Sequence, residues 1–120
     1  MEKKTLVIGA SANPSRYSYL AVQRLRKNNH PVVAIGKNNT IVGDVKVENQ
    51  KLPFTGIDTV TLYINPSHQP EYYKYILSLK PKRIIFNPGA ENNELADLAN
   101  ENNIQPVEAC TLVMLATGQF

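Results

Sequence analysis

The segment between residues 9 and 17 carries the residue types that a phosphate-binding loop needs. It supplies a glycine, small residues, hydroxyl and amide side chains and a cation, namely Gly9, Ala10, Ser11, Asn13, Ser15, Arg16 and Tyr17. Glycine allows a tight turn, small residues let a ligand approach the backbone, and free amides at a helix start attract anions. Only Gly9 remains of the three glycines in the dinucleotide-binding fingerprint. We therefore predict a phosphate site here, with an ordinary strand-to-helix turn as the alternative.

Lys37 occupies a position that discriminates among nucleotides in folds built of alternating strands and helices. An NAD site usually has an acidic residue there, which accepts hydrogen bonds from the ribose hydroxyls. Here the sequence reads Gly36-Lys37-Asn38-Asn39, and the next acidic residue is Asp44. A lysine suits a ribose that carries a phosphate, as in NADP and coenzyme A. A solvated loop lysine is the alternative.

Two further segments add groups that a nucleotide would contact. Ile64, Asn65 and Pro66 lie at the end of an apolar run, where the proline would pack against an adenine ring. Asn87 and Gly89 follow another apolar run, and their segment supplies a glycine and free backbone amides. Both segments also fit plain turns that lead into helices.

Few residues are candidates for catalysis. Cys110 is the single cysteine, and because no adjacent histidine would activate its thiol we interpret it as a small buried residue. His68 has no carboxylate partner in its sequence neighbourhood and fits a loop or a helix start. Glu91 and Glu94 fit the first turn of a helix, where carboxylates stabilise the dipole. We assign no catalytic residue and no metal site, since no Cys and His residues have zinc-ligand spacing.

Five short apolar runs alternate with amphipathic patterns along the chain. The runs, at residues 5–8, 32–35, 59–64, 83–86 and 105–110, have the length of strands buried on both faces. Helical spacing is found at residues 17–29, 69–79, 93–102 and 111–115, with Ser67 as the N-cap of the second helix. Residues 41–47 predict a small extra strand pair outside this alternation.

Alternation at these lengths predicts parallel strands joined by right-handed crossovers. The predicted fold class is therefore α/β, a Rossmann-like doubly wound parallel sheet of about five strands in one domain covering residues 1–120. Ligands of such sheets bind at the carboxyl ends of the strands, where the strand order reverses. The segments described above would meet at that place.

Composition excludes several classes of protein. The 120 residues are 42% hydrophobic and 19% charged, which is typical of a globular domain, and one cysteine cannot form an internal disulfide framework. No apolar run approaches the ~20 residues of a membrane span, and the N-terminal run is shorter than a signal peptide requires, so we expect a cytoplasmic protein. A net charge of +3 fits an anionic ligand but is too weak to indicate nucleic acid.

Taken together, these segments resemble the small single-domain CoA-binding proteins of bacteria, which are similar to the N-terminal CoA-binding domain of the succinyl-CoA synthetase α subunit. The matching segments are Val7-Ile8-Gly9-Ala10-Ser11 with Asn13, Arg16 and Ser18, then Ile41-Val42-Gly43, Ile57-Asp58-Thr59-Val60, Asn87-Pro88-Gly89-Ala90 with residues 92–94, and Cys110. The resemblance implies coenzyme A as ligand, with its pyrophosphate at residues 9–16, its phosphorylated ribose near Lys37 and its adenine at residues 64–66. It also implies that residues 87–89 close the pocket.

We therefore expect a module that binds coenzyme A or an acyl-CoA without catalysis of its own and without nucleic-acid or membrane partners. Two alternatives stay open. One is a small NADP-linked or acyl-transfer enzyme, the latter using Cys110, whose site a homodimer or a partner subunit completes. The other is a metabolite-sensing regulatory protein, in which Tyr72, Tyr73 or Tyr75 would contribute to an interface with another protein.

Overall fold

The computed structural model describes residues 2–120 as seven strands and four helices. The strands are β1 (Thr5–Ala10), β2 (Val32–Gly36), β3 (Thr40–Val42), β4 (Val45–Glu48), β5 (Thr59–Leu62), β6 (Arg83–Phe86) and β7 (Gln105–Glu108). The helices are α1 (Tyr17–Lys27), α2 (Tyr73–Leu79), α3 (Asn93–Glu101) and α4 (Thr111–Ala116). None of the helices within residues 2–120 is long and apolar enough to cross a membrane.

All seven strands form one sheet with the order β3-β4-β2-β1-β5-β6-β7. Neighbouring strands from β4 to β7 pair in parallel, and only β3 is antiparallel to its neighbour β4. From β1 the sheet continues on one side with β2, β4 and β3, and on the other side with β5, β6 and β7. The predicted α/β doubly wound parallel sheet is therefore confirmed, and its strand order reverses at β1.

The sheet has seven strands instead of the predicted five because residues 40–48 join it. In β4 the pattern Val45-Lys46-Val47-Glu48 places both valines in the core, while Lys46 is exposed. The predicted strand pair is present, because β3 pairs antiparallel with β4. Val47 of β4 also pairs in parallel with Ala34 of β2, so the pair is part of the main sheet. An alternating pattern with one buried face is what a strand near a sheet edge requires.

Helices cover both faces of the sheet and create two hydrophobic cores. One core joins Leu6 and Ile8 of β1 to Ile76 of α2 and to Leu95 of α3. The other core joins the intervening Val7 of β1 to α1 and, through partly buried side chains, to α4. Successive β1 residues belong to opposite cores because side chains of a strand alternate between its two faces.

The segment before α2 differs from the prediction of one helix over residues 69–79. Two short 3₁₀ turns, Pro66–His68 and Pro70–Tyr72, come first, each beginning with a proline. Proline lacks the N–H that an α-helix interior needs, so it suits the first position of a turn. The predicted N-cap Ser67 lies inside the first turn, and the capping side chain is instead Asn65, whose Oδ1 accepts a hydrogen bond from the Ser67 N–H at 2.9 Å.

Candidate ligand-binding cleft

The carboxyl ends of β1, β2, β5 and β6 open into one cleft of about 1150 Å³. Small-molecule sites have volumes of roughly 300–1000 Å³, so the cleft is large enough for a nucleotide cofactor. The predicted site residues that line it are Gly9, Ala10, Ser11, Asn13, Ser15, Arg16, Tyr17, Lys37, Ile64, Asn65 and Gly89. The fold thus brings together segments that are up to 80 residues apart in the sequence. That these residues contact a ligand stays a prediction.

Gly9 is the point where the β1 loop contacts the β5 loop. Its φ is +93°, and a β-carbon there would lie 2.7 Å from the Tyr63 carbonyl oxygen and 2.8 Å from Cγ2 of Ile64. The pairing of β1 with β2 also shifts register between Ile8 and Ala10. Only glycine combines this backbone conformation with so close an approach, so Gly9 permits the two loops to form one wall of the cleft.

The loop before α1 is held together by its own polar side chains. The Oδ1 atom of Asn13 accepts hydrogen bonds from the Ser15 amide at 3.0 Å and from the Ser15 hydroxyl at 2.8 Å. The Ser11 hydroxyl oxygen accepts a hydrogen bond from the Asn13 amide at 3.0 Å, and the Arg16 amide donates to the Asn13 carbonyl at 3.0 Å. Asn13 and Ser15 therefore shape the loop, and the side-chain Nδ2 of Asn13, which donates to no residue within 2–120, stays available to a ligand.

The first turn of α1 faces the cleft with unused backbone donors. Arg16 is the N-cap residue and its side chain makes no capping hydrogen bond, while the Tyr19 and Leu20 amides donate to its carbonyl. The amides of Tyr17 and Ser18 have no acceptor among the described residues. Such free N–H groups at a helix N-terminus, with the positive end of the helix dipole, favour an anion.

Two exposed cations line the cleft without a partner. Within the part of the chain that the structure describes, neither Arg16 nor Lys37 forms an ion pair. Glu71 also lines the cleft, but its carboxylate lies 3.9 Å from Lys51 and its carbonyl accepts a hydrogen bond from the same ammonium. Arg16 and Lys37, which no ion pair neutralises, therefore give the cleft a positive charge.

Asn87 and Pro66 are the two predicted site residues that do not line the cleft. Asn87 is 2% exposed, and its Nδ2 donates to the Thr61 hydroxyl at 2.7 Å and to the Leu62 carbonyl at 2.8 Å. Its Oδ1 accepts a hydrogen bond from the Thr111 amide at 2.9 Å. Each polar atom of the Asn87 side chain is thus engaged inside the protein, where it joins β5, β6 and α4.

The cleft lining also includes residues that the sequence analysis did not name individually as ligand contacts, although Ala12 and Pro88 lie within segments that the resemblance assigned to the ligand. These additional residues are Ala12, Ser18, Gly36, Asn38, Asn39, Thr40, Tyr63, His68, Glu71, Tyr72, Pro88 and Ala90. Most of them follow the carboxyl end of a strand. The rule that ligands bind at the carboxyl ends of the strands could therefore have included them. Glu71 and Tyr72 reach the cleft through the 3₁₀ turns, which the helical pattern did not reveal.

Tyr63 lines the cleft, whereas the single cysteine, Cys110, does not. The Tyr63 hydroxyl is buried and has no hydrogen-bond partner among residues 2–120, and its burial raises the pKa of the phenol above its ordinary value. Cys110 is the partly buried N-cap residue of α4 and does not line the cleft. The thiol of Cys110 thus lies outside the lining of the cleft.

Comparisons with known proteins bear on the family and the fold of the chain. A family model described as a CoA binding domain matches residues 3–116. No protein of curated function matches the chain. A crystal structure of a protein described only as uncharacterized is 50% identical, with a TM-score of 0.97 over 100% of this chain and 99% of that chain.

Two other solved structures show the same fold at lower identity. A hypothetical protein from Pyrococcus horikoshii OT3 is 22% identical, with a TM-score of 0.87 over 97% of this chain and 83% of that one. A Thermus thermophilus protein described as cell-free ID.343 is 20% identical, with a TM-score of 0.82 over 99% of this chain and 91% of that one. These likenesses concern the fold alone.

Proposed function

The chain belongs to the CoA binding domain family, and from that premise we propose that its function is to bind coenzyme A in the cleft at the carboxyl ends of β1, β2, β5 and β6. The observation that carries the proposal is the set of unused donors at the start of α1. The Tyr17 and Ser18 amides and the unpaired Arg16 side chain lie on the same cleft. Coenzyme A is a polyanion, and these groups would hold its pyrophosphate.

Lys37 supports coenzyme A over NAD as the ligand. The residue follows β2, lines the cleft and has no acidic partner among the described residues. We propose that its ammonium contacts the 3′-phosphate of the ribose. The segment after β2 contains no carboxylate that would accept hydrogen bonds from the unphosphorylated ribose of NAD.

The opposite wall of the cleft would hold the less polar parts of the ligand. Ile64 and Asn65 follow β5, and the segment Pro88–Ala90 follows β6. We propose that the adenine packs against Ile64 and Asn65 rather than against Pro66, which lies outside the lining. The segment around Gly89 would then cover the pantetheine arm.

We propose binding without a reaction on this chain alone. Cys110 lies outside the cleft lining, and His68, although it lines the cleft, has no carboxylate partner within residues 2–120. Nucleophilic and general-base chemistry need such groups in mutual contact at the ligand.

A titration with chosen nucleotides tests the proposal. Isothermal titration calorimetry and thermal unfolding would be measured with coenzyme A, NAD and NADP at concentrations up to a few millimolar. A ligand at 100 times its Kd stabilises the folded state by about 2.7 kcal/mol, so even a weak site raises Tm. We expect saturable stabilisation by coenzyme A and little by NAD. A flat response to coenzyme A, or stronger binding of NADP, would reject the proposal.

A further inference from the structure

The side chain of Gln69 is a fully buried amide that joins two walls of the cleft without touching it. The residue lies between the two 3₁₀ turns and is 0% exposed. Its Nε2 donates one hydrogen bond to the Ile64 carbonyl at 3.1 Å and another to the Ala90 carbonyl at 2.8 Å. Ile64 and Ala90 both line the cleft, whereas Gln69 does not.

Asn92 fixes the orientation of the Gln69 amide. The Nδ2 atom of Asn92 donates to Oε1 of Gln69 at 2.9 Å and to the Tyr73 hydroxyl at 2.8 Å. The Oδ1 atom of Asn92 accepts a hydrogen bond from the Leu95 amide at 3.2 Å and so caps α3. Because the Asn92 nitrogen must donate, the oxygen of Gln69 faces it and the Gln69 nitrogen faces the two carbonyls.

We propose that Gln69 is a positioning residue for the ligand, because it sets the separation of the β5 loop at Ile64 from the β6 loop at Ala90. The inference rests on the proposed function. No backbone hydrogen bond joins the two loops directly among the described residues, whereas the Gln69 side chain contacts both. A side chain of similar length without donors would leave the buried Ala90 carbonyl and the partly buried Ile64 carbonyl unpaired, and the loops would move apart to reach water.

The variant Gln69→Met tests the proposal with Thr111→Val as the matched control. Thr111 is also 0% exposed, and its hydroxyl makes one buried hydrogen bond, to Thr61 at 2.8 Å, away from the cleft lining. We expect Gln69→Met to raise the Kd for coenzyme A by about tenfold. The control should lose stability while its Kd stays within about twofold of the wild-type value. If Gln69→Met fails to fold, the milder variant Tyr73→Phe replaces it in the test. Tyr73→Phe removes one hydrogen-bond partner of Asn92 and should also raise the Kd for coenzyme A.

Hydrogen exchange of the ligand-free protein gives a readout that does not depend on coenzyme A. In Gln69→Met, backbone amides near residues 64–65 and 89–91 should exchange faster, while those of residues 9–16 should not. Unchanged exchange in both loops, or an unchanged Kd when the wild type binds coenzyme A, would overturn the inference. If the wild type does not bind coenzyme A, the proposed function fails, and the exchange result alone then decides whether Gln69 holds the two walls.

Discussion

A β-carbon on residue 9 would lie 2.7 Å from the Tyr63 carbonyl oxygen, so the β1 and β5 loops can touch only while residue 9 is glycine. The start of α1 and the β5 loop both line the cleft. The end of the sheet that carries the cleft therefore depends on a residue that has no side chain.

Gly9→Ala should reduce both stability and ligand binding. The added methyl group meets backbone atoms, and overpacking of this kind lowers the free energy of unfolding by about 1–3 kcal/mol. Gly56→Ala is the control, because Gly56 also has a positive φ of +67° but open space around its β-carbon position. Urea denaturation and calorimetry with coenzyme A would show a larger loss in Gly9→Ala. Equal losses in the two variants would mean that backbone strain alone, and not the contact with Tyr63, matters.

Arg16→Ala should weaken coenzyme A binding by about tenfold or more, since a hydrogen bond to a charged group contributes about 1.5–3 kcal/mol. The wild-type affinity should also fall as sodium chloride is raised, because Arg16 is exposed to solvent and salt screens its charge. Calorimetric Kd values at low and high salt measure both effects. Lys74→Ala, which removes an exposed cation of α2 away from the cleft, should bind as the wild type does. An equal loss in Lys74→Ala would indicate a nonspecific effect of net charge.

Lys37→Ala should remove the preference for the 3′-phosphate. We expect the wild type to bind coenzyme A about tenfold more tightly than 3′-dephospho-coenzyme A, as loss of a contact worth about 1.4 kcal/mol implies. In Lys37→Ala the two affinities should become similar, while binding of the dephosphorylated ligand stays unchanged. The four Kd values form a double-mutant cycle between Lys37 and the phosphate. If both ligands weaken equally, Lys37 contacts another part of the molecule.

His30 should make stability depend on pH. Its Nδ1 accepts a hydrogen bond from the Lys3 amide at 3.0 Å, so the ring is neutral in the folded protein. Burial lowers the pKa of His30, as do the positive charges of Lys3 and Arg83, while Glu2 opposes them. The unfolded chain, in which a histidine has a pKa of about 6.5, therefore binds the proton first as the pH falls. Stability from this group is present above about pH 6.5 and is lost below it.

Thermal unfolding between pH 5 and pH 7.5 measures the contribution of His30. His30→Gln should flatten the decrease of Tm toward pH 5. His68→Gln replaces the other histidine, which is exposed on the cleft, and should keep the wild-type slope. A slope that persists unchanged in His30→Gln would assign the pH dependence to other groups.

The sequence predicted the strands that are apolar on both faces. It did not predict the strand pairing and the side-chain hydrogen bonds that depend on residues distant in the sequence. Residues 45–48 alternate valine with charged residues, and only pairing with β2 shows that they belong to the main sheet. In the sequence, Asn13 and Asn87 are loop amides, and Gln69 is the first residue of the helix predicted over residues 69–79. In the structure Asn13 shapes its own loop, Asn87 joins β6 to β5, and Gln69 joins two walls of the cleft. These roles follow from hydrogen-bond partners that lie 2 to 26 residues away in the sequence.

The internal hydrogen bonds of the loop at residues 11–16 bear on the kinetics of ligand capture. Asn13 and Ser15 already fix the backbone conformation in the free protein. Association would therefore cost little conformational entropy at this loop, and no slow rearrangement would have to precede it. The association rate constant should be set by diffusion and by the attraction between opposite charges. Differences in affinity among related thioesters would then arise from their dissociation rate constants.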